Sequence, residues 1–430
     1  MTIFNPKEAL AKGEPLEALH LATWRLGLSP SDPGAHLDLL AALSMNRPES
    51  VPLSCAQSLF NYYLSTANFS ASLAVLVFLG RVPEELDDDL LTRFLKIFGP
   101  DQPTEHRAPP PVSSMAEPDE EPPLSSIDED EIIEAAKAAW EKACEQLTAL
   151  PPAPGWKVPL FSAMGDKSLQ AILRRGEITF HSPGDAVMRQ GDTDNNLFIL
   201  VSGTLEVFRE EDDIRSRLGF LRSGSFFGEM ALVTQSPRSA SIVAQEPSVV
   251  LRVSWDLLES ILELDPTLAD ELARYTRMRL LQNLMATSPL FKLLSREAKL
   301  AVAGAFIPVI FDQGEEVVTE GSPSEGLYLV ASGEVDVITG KGENRTLLTT
   351  LGAGEVFGEI SLIRESAATA TVKVHSEGAV LLSLRRESFQ TLAVQHPDLL
   401  SHVYQVAIDR SAHNERSRSE ESLPAEDLLV

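Results

Sequence analysis

Cysteine is nearly absent: of 430 residues, only Cys55 and Cys144 carry a thiol. They are far apart in sequence and form no CxxC pair, so a reducing, cytoplasmic setting is expected. Positive charge is scarce as well, with 36 Lys and Arg against 63 Asp and Glu and a formal net charge of −27. That balance argues against a surface for nucleic acid or anionic membrane, since either needs a basic patch. Long apolar runs are missing; the longest, near residues 73–79, is much too short to span a bilayer. The first residues, MTIFNPKEALAKGEP, lack the basic-then-apolar pattern of a signal sequence. Histidines are too scattered for a metal-dependent jelly-roll enzyme: His181 stands alone, and His375 precedes His396 and His402 in helical sequence. Gly340-Lys341 has neither the preceding glycine nor the following Ser/Thr of an ATP phosphate loop. A soluble cytoplasmic protein that is not an enzyme, with no membrane span and no metal, is the expectation.

What is present suggests about three domains at ordinary domain size. Residues 1–100 read as helical. Ala9, Gly13, Ala18, Ala22, Leu26 and Pro30, followed by Ala35, Leu37 and Leu40, set small and apolar residues at helical spacing around one breaker. Either a tetratricopeptide-like unit or a generic helical bundle fits this pattern. Leu86, Leu90, Phe94 and Ile97 add a helical stripe. From 101 to 126 the chain mixes proline with acid and offers little to bury, as a linker does. A connecting helix is expected within 127–158, where carboxylates at the start precede Ile133, Ala136, Trp140 and Ala143 on one face. Residues 413–430 read as a disordered acidic tail.

Beyond Pro159 the chain says everything twice. PLF recurs at 159 and 289, and Gly184, Gly191, Gly203, Gly224 and Gly228 find counterparts in Gly314, Gly321, Gly333, Gly354 and Gly358. Every pair is separated by 130 positions, the mark of a tandem duplication, with copies at 159–288 and 289–412. Short strands such as LFILVS and TLEVFRE between glycine turns predict a small jelly roll or barrel in each copy, closed by helices. The fold expected is therefore α+β and multidomain: a helical N-terminal domain, then two β jelly-roll barrels with flanking helices.

The best-preserved stretch is FGEMALVTQSPRSAS, from Phe227 to Ser241, answered by FGEISLIRESAATAT in the second copy. Gly228 permits a tight turn, and the residues after it read as a short helix whose first backbone N–H groups make an anion site. Arg238 adds an always-charged fork suited to phosphate oxygens. Glu229 would repel a bare anion, so its presence calls for a ligand that also carries a hydroxyl. An anion and a hydroxyl on one compact molecule suggest a nucleotide with a free ribose oxygen.

These residues resemble the phosphate-binding cassette of the cyclic nucleotide-binding domain family. That family includes the bacterial catabolite activator protein and the regulatory subunits of cyclic-nucleotide-dependent protein kinases. The resemblance covers roughly 159–410. It implies that Glu229 binds the ribose 2′-hydroxyl, while Arg238 and the backbone around Phe227, Gly228, Met230, Ala231, Ser239 and Ala240 bind the cyclic phosphate. In the second copy Ala367 and Ala368 stand where the first has Pro237 and Arg238. Gly358, Glu359, Ile360 and Ser361 remain as a second pocket that is expected to be silent toward cyclic nucleotides, with Arg364 four positions from the missing arginine's place.

The resemblance implies a cyclic-nucleotide sensor with its ligand in the first barrel, cyclic AMP in preference to cyclic GMP, and no other cofactor. Its output would be a changed contact with an unidentified protein partner through the N-terminal helices. The rival is an interaction scaffold whose barrels no longer sense anything. No helix-turn-helix follows the second barrel, so a transcription factor of the activator-protein type is not expected. The linker lacks an Arg-Arg-x-Ser/Ala inhibitor sequence, so kinase inhibition is not expected either.

Overall fold

Prolines and short polar caps set the first helices. α1 (Pro6–Ala11), α2 (Pro15–Leu28) and α3 (Pro33–Asn46) each begin on a proline, where the missing N–H costs nothing. The Asn5 and Asp32 side chains accept from the Lys7 and Gly34 amides, capping α1 and α3. The structure is a computed structural model. It describes residues 5–82, 88–99, 102, 128–147, 155, 157–158, 160–211, 214–230, 237–292, 294–323, 325–340 and 345–421. The chain divides into two compact units, one comprising residues 1–229 with 237–275, the other 230–236 with 276–430.

In the first unit α4 (Leu53–Ser65) and α5 (Phe69–Leu79) follow, and every residue of α5 is buried. A helix apolar on all sides belongs at the centre of a bundle. The N-terminal region is thus helical as expected, while tetratricopeptide character is not shown. α6 (Asp88–Phe98) buries Leu90, Phe94 and Ile97; Leu86 and residues 103–126 of the expected linker lie outside the described residues. α7 (Glu129–Cys144) opens with three acidic residues and buries Ile132, Ile133, Ala136, Trp140 and Ala143 along one face. It docks on the bundle: the buried Trp140 indole donates to His36 Nδ1 at 2.9 Å, and Arg47 pairs with Glu129 and Asp130 at 3.2 and 2.7 Å.

α8 (Asp166–Arg175) leads into two four-stranded antiparallel sheets. One is ordered β1-β8-β3-β6 and the other β2-β7-β4-β5. The strands are β1 (Glu177–His181), β2 (Ala186–Met188), β3 (Leu197–Ser202), β4 (Thr204–Glu211), β5 (Ile214–Arg222), β6 (Phe226–Phe227), β7 (Ser241–Ala244) and β8 (Ser248–Val253). Phe198, Leu200, Leu205, Leu221, Phe227, Ile242 and Val250 fill the space between them. The barrel is not an independent bead. Phe69 of α5 meets Phe161 at 4.8 Å between ring centroids, Phe161 meets Phe226 of β6, and Phe226 meets Tyr275. This aromatic chain joins bundle and barrel into one core.

The second unit repeats the sandwich with β9 (Ile307–Asp312), β10 (Glu316–Val318), β11 (Gly326–Ser332), β12 (Val335–Thr339), β13 (Thr346–Leu351), β14 (Val356–Phe357), β15 (Thr371–Val374) and β16 (Gly378–Arg385). Its sheets run β9-β16-β11-β14 and β10-β15-β12-β13, the same order as in the first copy. The duplication reaches into packing. Phe198 stacks on Phe227 at 5.2 Å and 11°, and Tyr328 stacks on Phe357, 130 residues on, at 5.0 Å and 8°. All five glycine pairs have φ between 83° and 101° in both copies, a conformation other residues adopt only with strain.

The last helix enters the expected tail, of which residues 422–430 lie outside the described residues. It runs Pro397–Glu421, well past residue 413. No glycine or proline interrupts the sequence between Pro397 and Pro424, so nothing stops the backbone hydrogen bonds from propagating. Among the described residues no helix is long and apolar enough to cross a membrane, and no group of three or more His, Cys, Asp or Glu is placed to hold a metal ion.

Candidate functional site

The first site is built around a buried arginine. Phe227 ends β6 against Phe198, and the chain turns at Gly228 with φ 86°. A Cβ there would lie 2.7 Å from the Asn196 carbonyl oxygen and 2.9 Å from Arg238 Nη1, so glycine is required for space as well as for conformation. Glu229 follows, 3% exposed, and Arg238 is equally buried. The Arg238 guanidinium donates from Nη1 to the Gly228 carbonyl at 2.6 Å and from Nη2 to the Asn196 carbonyl at 2.8 Å. Nη2 also donates to Asp194 Oδ1 at 2.7 Å, and Nε reaches Oδ2 at 3.4 Å. The Phe198 ring lies 5.7 Å from the guanidinium carbon. Burial alone would raise the Asp194 carboxyl, but the Arg238 hydrogen bond and charge, with help from Asn196, hold it below its ordinary value.

The backbone pins this arginine in place. Its N–H donates to the Asp192 carbonyl at 2.8 Å, and its own carbonyl accepts from the Gly191 N–H at 2.9 Å. Ala240 is buried beside it, Ser239 is exposed, and Met230 is half-buried; Ala231 lies outside the described residues. The structure therefore brings Phe227, Gly228, Glu229 and Arg238 together. It adds Asp194 and the Asn196 carbonyl, which the sequence reading missed. The sequence signal available was weak: an acidic GDTDNN loop between two strands.

The second site keeps the backbone and loses the charge. The Ala368 N–H donates to the Ser322 carbonyl and its carbonyl accepts from the Gly321 N–H, both at 2.8 Å, the same clamp without a guanidinium. Where the first copy has Asp194 the second has Ser324, outside the described residues, so both members of the ion pair are gone together. Arg364 is exposed and does not stand in. Gly358, Glu359, Ile360 and Ser361 line a cavity of about 200 Å³ together with Ala368 and Arg410. Gly358 again has φ 86°, and Glu359 is 2% exposed. Arg410, on the last helix, donates to Glu359 Oε1 at 3.2 Å and to the Val356 carbonyl, and lies 3.8 Å from Glu355. Nothing in the sequence singled Arg410 out. Its charge serves the pocket's own carboxylates.

Residues 178–265 and 308–396 each match the family model of the cyclic nucleotide-binding domain. Both segments belong to that family. The cyclic nucleotide-binding domains coincide with the two sandwiches, and the helices of residues 6–98 lie outside the matched segments. Over 233 residues the chain is 29% identical to the cAMP-dependent protein kinase regulatory subunit of Yarrowia lipolytica, an alignment covering 54% of this chain and 58% of that protein. With the cAMP-dependent protein kinase type II regulatory subunit of Drosophila melanogaster it shares 24% over 263 residues, 61% of this chain and 66% of the relative. The chain thus spans less than two thirds of these relatives' length. Among solved structures, the regulatory domain of Toxoplasma gondii PKA with cAMP matches at 24% identity and a TM-score of 0.27, covering 56% of this chain and 90% of that one. The two curated relatives carry the names of regulatory subunits, not catalytic ones.

Proposed function

We propose that the chain is a cyclic-nucleotide sensor that takes one ligand, cyclic AMP in preference to cyclic GMP, in its first cyclic nucleotide-binding domain. The observation that carries the reading is the buried Arg238, set beside Gly228 and the buried Glu229. A guanidinium and a carboxylate at opposite ends of one turn suit a cyclic phosphate and a neighbouring ribose hydroxyl. Ser239 adds a hydroxyl that suits the phosphate whichever base is present; the curated relatives' names, which specify cAMP, favour adenine. No cofactor besides this ligand is needed.

The second domain is silent toward cyclic nucleotides in this reading. Losing the arginine removes about two charge-assisted bonds of 1.5–3 kcal/mol each, a factor on the order of a hundred or more in affinity. Arg410 does not restore them, because it faces Glu355 and Glu359. The output is a protein contact through the N-terminal helices, and the relatives' names point to a protein kinase as the class of partner.

A scaffold that senses nothing draws on one observation: Asp194 and two carbonyls already occupy most of the Arg238 fork. Isothermal titration of the full chain with cyclic AMP and cyclic GMP separates the two readings. The sensor binds cyclic AMP at one site per chain and more tightly than cyclic GMP. Absence of binding by both nucleotides establishes the scaffold, and a tenfold preference for cyclic GMP reverses the base assignment.

A further inference from the structure

The only two cysteines of the chain stand 89 positions apart in sequence, yet their sulfurs lie 3.1 Å from each other. Cys55 sits in the first turn of α4 and is fully buried. Cys144 is the last residue of α7 and is half-buried. The Cys55 thiol donates to the Cys144 sulfur, and the Cys144 thiol donates to the Glu141 carbonyl at 3.3 Å. This contact belongs to the docking of α7 on the helical bundle and owes nothing to the nucleotide site. The buried Trp140–His36 hydrogen bond and the Arg47 pairs with Glu129 and Asp130 hold α7 against the bundle. The two thiols are therefore presented to each other by an interface that forms without them.

We infer that Cys55 and Cys144 form a reversible intrachain disulfide, a redox modification site that locks α7 onto the helical bundle. The oxidant is a hydroperoxide, and the half-exposed Cys144 is the sulfur it can reach. The Cys144 thiolate attacks the peroxide oxygen, the O–O bond breaks, and Cys144 becomes a sulfenic acid as the hydroperoxide leaves as its alcohol, or as water in the case of hydrogen peroxide. Cys55 then attacks the Cys144 sulfur. The S–O bond breaks, a water leaves with the Cys55 proton, and the disulfide closes. Two thiols have lost two electrons and two protons, and one peroxide has gained them.

The division of roles follows from burial. Desolvation, reinforced by the neighbouring Cys144 sulfur, pushes the Cys55 thiol up to about 12, so Cys55 is a poor first nucleophile, while its sulfur, 3.1 Å from that of Cys144, is placed for the resolving step. The sulfurs must approach by about 1 Å to reach a disulfide bond length, within the reach of small side-chain rotations. No third cysteine competes within the chain, so the product has one connectivity. In a reducing compartment such a bond is transient and reports oxidant, which separates it from a structural staple.

The test uses the full chain. After treatment with hydrogen peroxide, intact mass spectrometry shows loss of two hydrogens, both thiols resist alkylation, and peptide mapping recovers a Cys55–Cys144 crosslink that dithiothreitol reverses. The closed loop of 55–144 raises the melting temperature of the oxidised protein by on the order of 5–10 °C. Cys55→Ser leaves a Cys144 sulfenic acid that dimedone traps, and Cys144→Ser abolishes the peroxide-dependent shift. Independent over-oxidation of Cys144 with Cys55 still reduced, or disulfides formed only between chains, overturns the inference.

Discussion

Replacing Arg238 by alanine separates what this residue does for the fold from what it does for the ligand. The guanidinium satisfies the Gly228 and Asn196 carbonyls, and its own side chain is 1% exposed. Unpairing a buried acceptor costs about 1–3 kcal/mol, and water entering the vacated space recovers part of it. Asp194 is 38% exposed, so its carboxylate is re-solvated at little cost. The expected destabilisation is about 2–4 kcal/mol, read from urea unfolding of the full chain. Cyclic AMP affinity, measured by titration on protein shown to be folded, falls on the order of a hundredfold or more. Asp194→Asn is the control: it removes the counter-charge but leaves both carbonyl bonds, so stability drops by about 1 kcal/mol while nucleotide affinity rises. Unchanged affinity in folded Arg238→Ala refutes the phosphate assignment. An equal loss in Asp194→Asn refutes the claim that the aspartate competes with the ligand.

In the second domain, Ala368→Arg combined with Ser324→Asp restores both charges on a backbone clamp already in place, and titration should then show a second binding event. Arg410→Ala strands the buried Glu359 and should destabilise the second unit by about 2–4 kcal/mol in chemical unfolding, whereas Arg410→Lys recovers part of that loss. Burial lowers the His36 pKa from its ordinary value, outweighing the hydrogen bond to the Pro30 carbonyl and the Asp32 charge, both of which raise it. The unfolded chain therefore binds the proton more readily, so stability is complete above about pH 6.5 and declines as pH falls through that value. Hydrogen exchange of α7 should accelerate over that window, and His36→Gln should flatten the response.

Local geometry was legible in the residues. A glycine demanded by a left-handed turn is a requirement of a few consecutive residues, so the 130-residue spacing of five glycine pairs revealed two copies of one fold without any knowledge of contacts. The short strands between glycine turns, the acidic start of α7 and the Phe-Gly-Glu turn are local in the same way. The C-terminal helix was misread because acidic, polar composition was taken for disorder, although no breaker interrupts it before Pro424.

The sequence alone determined the duplication, the two sandwiches, the Phe-Gly-Glu turn, and the loss of the second arginine. Only the tertiary structure decided which groups answer those charges. Asp194 reaches Arg238 across 44 positions, Arg410 reaches Glu359 across 51, and Cys144 meets Cys55 across 89. Such pairings have no period and no motif. They follow from how folded elements approach one another, and burial then makes each pairing matter, because a charge or thiol removed from water must find its partner within the protein.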